Sequence, residues 1–250
     1  MGTYVEYEFE MKGAADVLRK AVAALESITL KYDASYEACI RWGDLPIISD
    51  DTKIASFWFC CDRWYVSEEV CEALLASTVG EPQFQILMSD SIDDGYFSTS
   101  LRKYSKGKSQ ILGIWQCAVE FEEARTLYSL ETKSSATTIV SAAEYIQRIA
   151  DERCNGQSDS NWGLESASAT AHETAIAIWR GLQRRPALKN NPRVTDALAE
   201  LYAPLLWVDQ EVGRENGGSD MFCALLVMCE KAALEVSTRK AVKASAPRRL

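Results

Sequence analysis

The spacing of apolar residues along the chain changes near residue 133. Before this point, apolar residues come in short runs of β-branched and aromatic side chains that turn residues separate. After it, they recur every three or four residues, which is the spacing of amphipathic helices. The pattern predicts an α+β fold: an N-terminal, mostly antiparallel sheet with two helices over residues 1–133, then a bundle of about four helices over 134–238.

The N-terminal half alternates between strand and helix patterns in the order β-α-β-β-α-β-β-β. Its two predicted helices are Ala14–Ile28, which carries an apolar stripe, and Ser67–Ser77, which begins with a serine cap and two glutamates. Residues 43–53 are predicted to form a loop. The predicted strands are Tyr4–Phe9, Tyr36–Trp42, Ile54–Tyr65, Phe84–Met88, Tyr96–Tyr104 and Ser109–Phe121.

The C-terminal half contains clear signals for the start and end of helices. Residues 141–144, with the sequence Ser-Ala-Ala-Glu, fit a capping box, and Asn191-Pro192 fits a helix N-terminus. Pro204 falls inside a long apolar stripe, so we expect a kink or a break there. A last helix is predicted from Ser219 to about Val236.

Charge is distributed unevenly over the 250 residues. The net charge is −9, but residues 239–250 contain five basic residues and no acidic ones, so the preceding residues carry −14. We predict that 239–250 is a flexible basic tail. The acidic body should repel nucleic-acid phosphates and attract a basic protein partner. The alternative for the tail is contact with anionic material, nucleic acid included.

The cellular compartment is inferred from the N-terminus and the cysteines. The first residues show no basic and apolar leader, and no apolar stretch approaches the roughly 18 residues that span a bilayer. None of the eight cysteines forms a C-x-x-C motif. We therefore expect a cytoplasmic protein with reduced thiols, no membrane association and no structural metal.

His172 is the only histidine, and this limits the catalytic mechanisms open to the chain. A single histidine argues against most zinc, di-iron and Ser-His-Asp sites: the di-iron pattern needs two Glu-x-x-His units, and a catalytic histidine needs an orienting carboxylate, whereas Glu173 points elsewhere on the predicted helix. Glycine-rich phosphate loops and the Gly-x-Ser-x-Gly motif are absent from the sequence. We predict no cofactor and no catalytic residue, and we interpret His172 as a packing or partner-facing residue.

Two groups of acidic residues are candidates for partner contact. Asp90, Asp93 and Asp94 precede Gly95 in a predicted hairpin turn. Their spacing does not match a calcium loop, and turn chemistry alone explains Asp-Asp-Gly. In the second group, Asp209 and Glu211 follow Trp207, Val208 and the expected Pro204 break, a mixture of aromatic and acidic residues that suits a protein interface.

These observations favour a non-catalytic acidic protein that binds another macromolecule, such as an inhibitor, an immunity protein or an anti-defence protein of a mobile element. One alternative is an enzyme with a carboxylate- or cysteine-based site at the junction of the two halves, for which Cys154, Asp209 and Glu211 are candidates. The other alternative is a structural subunit that oligomerises through its helical half.

Overall fold

The computed structural model describes residues 4–35, 40–42, 47–61, 83–91, 97–105, 108–115, 121–154, 161–216 and 219–245. The chain folds into two compact units, Met1–Arg125 and Thr126–Leu250. Strands belong to the first unit and helices dominate the second, which confirms the α+β class.

A six-stranded sheet forms the first unit, and each neighbouring pair of its strands is antiparallel. The order across the sheet is β2-β3-β1-β4-β5-β6. β1 therefore lies near the middle, where Tyr7 is opposite Phe59 on one side and Met88 on the other. The strands are β1 (Tyr4–Lys12), β2 (Ile40–Trp42), β3 (Ile54–Cys61), β4 (Gln83–Ser91), β5 (Phe97–Ser105) and β6 (Lys108–Trp115).

The hairpin of β5 and β6 contains an irregularity. Leu101 is opposite Gly113 whereas Arg102 is opposite Ile111, so Leu112 is an extra residue in β6. Gly113 allows the buried Trp115 ring to lie against the backbone, because a Cβ on Gly113 would approach that ring to 2.5 Å. Only glycine fits there without a shift of the indole.

Helix α1 (Ala15–Ser35) buries Leu18, Ala21 and Val22, as its apolar stripe predicts. Arg19 on the same helix holds the segment 47–53: its Nε donates to the Ile48 carbonyl at 3.2 Å, and its guanidinium pairs with Asp50. Residues 47–53 have no regular structure, as expected for this part of the predicted loop 43–53, and residues 43–46 lie outside the described residues. The second predicted helix, Ser67–Ser77, lies outside the described residues.

Helix α2 (Phe121–Lys133) corrects the sequence prediction, which placed the end of a strand at Phe121 and predicted no helix between residues 121 and 133. Ala124, Leu127 and Leu130 on α2 are buried. Two glutamates occupy its first turn, where their negative charge interacts favourably with the helix dipole and stabilises the helix. The boundary between the two compact units, Arg125/Thr126, falls inside this helix.

Helix α3 (Ala136–Cys154) begins before the predicted capping box at 141–144, which lies inside the helix. The actual cap is Ser135. Its backbone N–H donates to Thr138 Oγ1 at 2.8 Å, and the Thr138 N–H donates to Ser135 Oγ at 3.2 Å. This reciprocal pair satisfies two donors at the helix start, so the predicted box at Ser141 was wrong.

The helical unit continues with α4 (Asn161–Arg184), a short 3₁₀ helix (Pro186–Asn190), α5 (Pro192–Asn216) and α6 (Asp220–Ser245). α5 contacts α3, α4 and α6, while α4 contacts α3, α5 and α6. The four longest helices of this unit therefore pack into a bundle, with α4 and α5 as its central pair.

Helix α5 begins as predicted, since Asn191 Oδ1 accepts a hydrogen bond from the Arg193 N–H at 3.0 Å. Its predicted stripe is buried at Val194, Leu198, Leu201, Leu205 and Val208. The helix passes through Pro204 without interruption, so no break into two helices occurs. α6 extends beyond the predicted end at Val236 and includes the first part of the segment predicted as a tail, whereas 246–250 lie outside the described residues.

None of the described helices combines the length and the apolar character needed to cross a membrane.

Candidate functional site

A groove of about 240 Å³ lies between α3 and α5 in the helical unit. Each helix contributes four residues to it. Ala143 is buried, whereas the charged side chains of the groove are exposed. The groove thus combines a buried apolar residue with charged edges. Its lining residues are Val140, Ala143, Glu144, Gln147, Arg193, Asp196, Ala197 and Glu200.

The lining residues of the two walls, one on α3 and one on α5, are spaced identically along the sequence. On α3 the lining residues follow Val140 by three, four and seven positions, and on α5 they follow Arg193 by the same steps. Residues with this spacing share one face of a helix. Each wall is therefore a single helix face, and the contact between α3 and α5 determines the shape of the groove.

The charge of the groove is negative, because three carboxylates face one arginine. Asp196 Oδ1 lies 3.4 Å from Arg239 Nη2 of α6, an exposed ion pair that contributes little to stability. Within the described part of the chain, no basic side chain is within ion-pairing distance of Glu144 or Glu200. These two carboxylates are available to an incoming cation.

His172 lies on α4 and packs against α6. Its ring stacks on Phe222, with ring centroids 4.7 Å apart and an angle of 21° between the planes. Burial lowers the pKa of His172 below its usual 6.5, and the carboxylate of Asp209 on α5 partly opposes this shift. The imidazole is therefore neutral at pH 7, in a contact among three helices of the bundle.

The structure brings together only part of the predicted set of site residues. His172 and Asp209 interact electrostatically. Trp207 is half-buried on α5, and it projects to a different side of that helix from Asp209, two positions later. Whether these residues contact a partner stays a prediction. The other candidates lie outside the described side chains: Asp90, Asp93, Asp94 and Glu211.

Reactive thiols and clusters of metal-binding side chains are the features on which the enzyme alternative depends. No group of three or more His, Cys, Asp and Glu side chains suited to hold a metal ion occurs among the described residues. Cys229 is buried, and burial raises its pKa to about 12, so its thiol is unreactive at neutral pH. Cys223 is exposed. The side chain of Cys154, a candidate for the enzyme alternative, lies outside the described part.

The groove residues are not among the site residues predicted from the sequence. Asp196 and Glu200 lie four positions apart on one face of α5, and this spacing is visible in the sequence. Glu144 was assigned to a capping box that does not form. The sequence could therefore have indicated an acidic helix face, but not the second helix that faces it.

A contact between α2 and α4 was missed as well. Arg180 Nη1 of α4 donates to Glu131 Oε1 of α2 at 2.8 Å, and Arg185 Nη1 donates to the Ser134 carbonyl at 2.8 Å. Gly181 lies against the end of α2, where a Cβ would approach the Leu130 carbonyl oxygen to 2.6 Å. Glycine inside a helix is less favourable than alanine by about 1 kcal/mol. The presence of Gly181 in a helical segment was therefore the signal in the sequence that α2 and α4 approach closely.

Comparison of the chain with protein-family models, curated proteins and solved structures finds no match. No residue role is therefore transferred from another protein. The function is inferred from the groove, the charge and the packing of the chain itself.

Proposed function

We propose that this chain is a non-catalytic binding protein, and that the groove between α3 and α5 receives basic side chains of a protein partner. The observation that carries the proposal is the pair Glu144 and Glu200, which stand at the edges of the groove without ion pairs among the described residues. Lysine and arginine have an apolar stem and a cationic end. The stem would pack on Ala143, and the cation would meet the two carboxylates.

The size of the groove supports a side chain as its occupant. Sites for small molecules and cofactors usually measure about 300–1,000 Å³ and enclose most of the ligand. This groove measures about 240 Å³, and its charged residues are exposed. These features favour one or two side chains of a partner over a metabolite, and therefore binding over catalysis.

The charge of the whole chain supports the same kind of partner. A net charge of −9 attracts basic proteins over a distance and raises the rate at which they associate. The same charge opposes direct binding of nucleic acid by the body of the protein. Inhibitors and immunity proteins that cover the basic surface of a nuclease or toxin require this chemistry, and we propose this class for the protein.

The test uses a defined basic probe, a fluorescein-labelled peptide of alternating arginine and alanine. Binding to the full chain is measured by fluorescence anisotropy at 50 and 300 mM salt. A peptide of alternating glutamate and alanine serves as the negative probe. We expect the basic peptide to bind, and to bind more weakly at high salt, because salt screens exposed charges.

Paired variants then locate the binding site. Glu144→Gln combined with Glu200→Gln should weaken peptide binding about tenfold, which corresponds to two exposed ion pairs of about 0.7 kcal/mol each. Asp16→Asn combined with Glu26→Gln removes the same charge from two exposed residues of α1 and should have a much smaller effect. Equal weakening by the two double variants, or equal binding of the acidic peptide, would contradict the proposal.

A further inference from the structure

Helix α6 is apolar on two opposite sides. One side is buried in the bundle through Phe222, Leu225, Cys229 and Ala232. On the other side, Val227 is 49% exposed and Leu234 is 65% exposed. A helix whose outer side faces only water is normally polar there. The outer side of α6 therefore carries more apolar surface than the packing of a single helical unit requires.

The exposed apolar residues form a line along the helix. Val227, Leu234 and Ala241 are exposed and follow one another at steps of seven residues, close to two helical turns. Cys223, also exposed, lies one turn before Val227 on the same side. We call this line, from Cys223 to Ala241, the outer face of α6. Such a line can pack against a second helix, with exposed Glu230 and Ser237 beside it on the same face.

We propose that the outer face of α6 binds the same face of a second copy of this chain, with the two helices antiparallel. The exposed charges of α6 support this choice. Among the exposed charges described, the first half of the helix carries Asp220, Glu230 and Lys231, a net −1, and the second half carries Glu235, Arg239 and Lys240, a net +1. A parallel pair would place the basic ends together. An antiparallel pair places the more basic half of each helix along the more acidic half of its partner and also opposes the two helix dipoles.

The residues beside Leu234 complement each other in the same arrangement. Lys231 and Glu235 are exposed and flank Leu234 on the same side of the helix. When a two-fold axis passes near Leu234, Lys231 of one copy lies opposite Glu235 of the other, and the reverse pair forms by symmetry. Lys231 has no ion pair among the described residues, and Glu235 pairs only with Arg239 of its own helix, at 3.6 Å.

The area of the face indicates how tight this dimer is. α6 has 26 residues, which correspond to a length of about 39 Å, and one helix face is roughly 10 Å wide. The area buried is then about 400 Å² per copy, half of the roughly 800 Å² that a standard stable interface buries. The dimer is therefore weak, and its dissociation constant lies in the micromolar range or above.

Sedimentation equilibrium of the full chain, from 5 µM to 1 mM, tests the proposal. The unmodified chain should pass from monomer to dimer within this range. Leu234→Glu should raise the dissociation constant roughly thirtyfold or more, the effect of losing a central interface residue. Ile47→Glu is the matched control, because Ile47 is 95% exposed in the other unit, and it should leave the dissociation constant unchanged.

A charge exchange tests the antiparallel orientation. Lys231→Glu and Glu235→Lys should each weaken the dimer about tenfold, since each places like charges opposite one another. The double variant restores opposite charges in both symmetric pairs, so it should recover the original dissociation constant. In a parallel pair Lys231 would face Glu230 of the partner instead, and the double variant would not recover.

Cys223 provides an independent check of orientation. In the antiparallel pair the two Cys223 residues lie near opposite ends, so mild oxidation should give no disulfide through them. A disulfide-linked dimer that Cys223→Ser abolishes would show a parallel pair and overturn the proposal. A chain that stays monomeric up to 1 mM, or a dimer that Leu234→Glu leaves intact, would also overturn it.

Discussion

Replacing Arg180 with methionine should destabilise the helical unit more than breaking any exposed ion pair. Arg180 of α4 and Glu131 of α2 are joined at 2.8 Å, and the Glu131 side chain is only 11% exposed. Methionine keeps the apolar stem of arginine and removes the charge. The Glu131 carboxylate then remains in a mostly dry place without its cation, and this is the main source of the loss.

The magnitude follows from the exposure of the two partners. Leaving one charge of a fully buried pair unpaired costs about 3–5 kcal/mol, whereas an exposed pair contributes about 0–1 kcal/mol. Arg180 is 35% exposed, so water partly screens this pair and replaces some of the interaction. We therefore expect Arg180→Met to lower the free energy of unfolding by about 2 kcal/mol, between these limits.

The assay is urea unfolding followed by circular dichroism at 222 nm. Arg148→Met is the matched control: it breaks the exposed pair of Arg148 with Glu152, which are 3.6 Å apart, and the contact of the guanidinium with the Tyr145 ring, 5.5 Å from the ring centroid, and should cost less than about 1 kcal/mol. Adding Glu131→Gln to Arg180→Met should recover about 1 kcal/mol, because the unpaired charge is removed. Equal losses for Arg180→Met and Arg148→Met would refute the reasoning.

Three further outcomes are expected. Gly181→Ala should cost about 1–2 kcal/mol in urea unfolding, because overpacking against the Leu130 carbonyl outweighs the usual gain of alanine in a helix. Because the pKa of His172 is lowered in the folded state, the unfolded chain binds a proton at this residue more tightly than the folded chain does. The contribution of His172 to the free energy of unfolding should therefore be greatest above about pH 6.5, and it should fall as the pH drops towards the folded pKa. His172→Gln should flatten this dependence when unfolding is measured over a range of pH. Iodoacetamide should label Cys223 and leave Cys229 unlabelled in the native chain, as peptide mass mapping would show.

Elements that depend on local patterns were predictable from the sequence. The alternation from Tyr4 to Phe9 gave β1, and the stripe from Val194 to Val208 gave the buried side of α5. Asn191 supplies the cap expected of it. In each case the pattern spans several residues of one element, so neighbouring segments do not change its interpretation.

Helix α2 was missed because its local signals were ambiguous. The apolar residues before Phe121 extend the pattern of β6, and the glutamates of the first turn were not recognised as a helix start. Ser134 and Ser135 then separate α2 from α3 with only two residues, too short a link to stand out as a loop. A strand pattern that runs directly into a helix pattern leaves the boundary undetermined.

Non-local pairings account for the features that the sequence could not predict. β1 lies between β3 and β4, a position that depends on pairing across the whole unit. The pair of Glu131 and Arg180 joins residues 49 positions apart, and the groove joins faces of α3 and α5. Each of these depends on how separate elements pack, and no local pattern determines it.

The groove and the outer face of α6 are separate surfaces, but Arg239 connects them. Its guanidinium lies 3.4 Å from Asp196 in the groove and 3.6 Å from Glu235 beside the outer face. In the dimer, Lys231 of the second copy would compete with Arg239 for the carboxylate of Glu235. Arg239 would then lie closer to Asp196, and the groove would be less negative. Self-association and binding of a basic partner would then oppose each other, by no more than one exposed ion pair, about 1 kcal/mol or less. Peptide binding should therefore be measured below the concentration at which the chain dimerises, where the two effects are distinguishable.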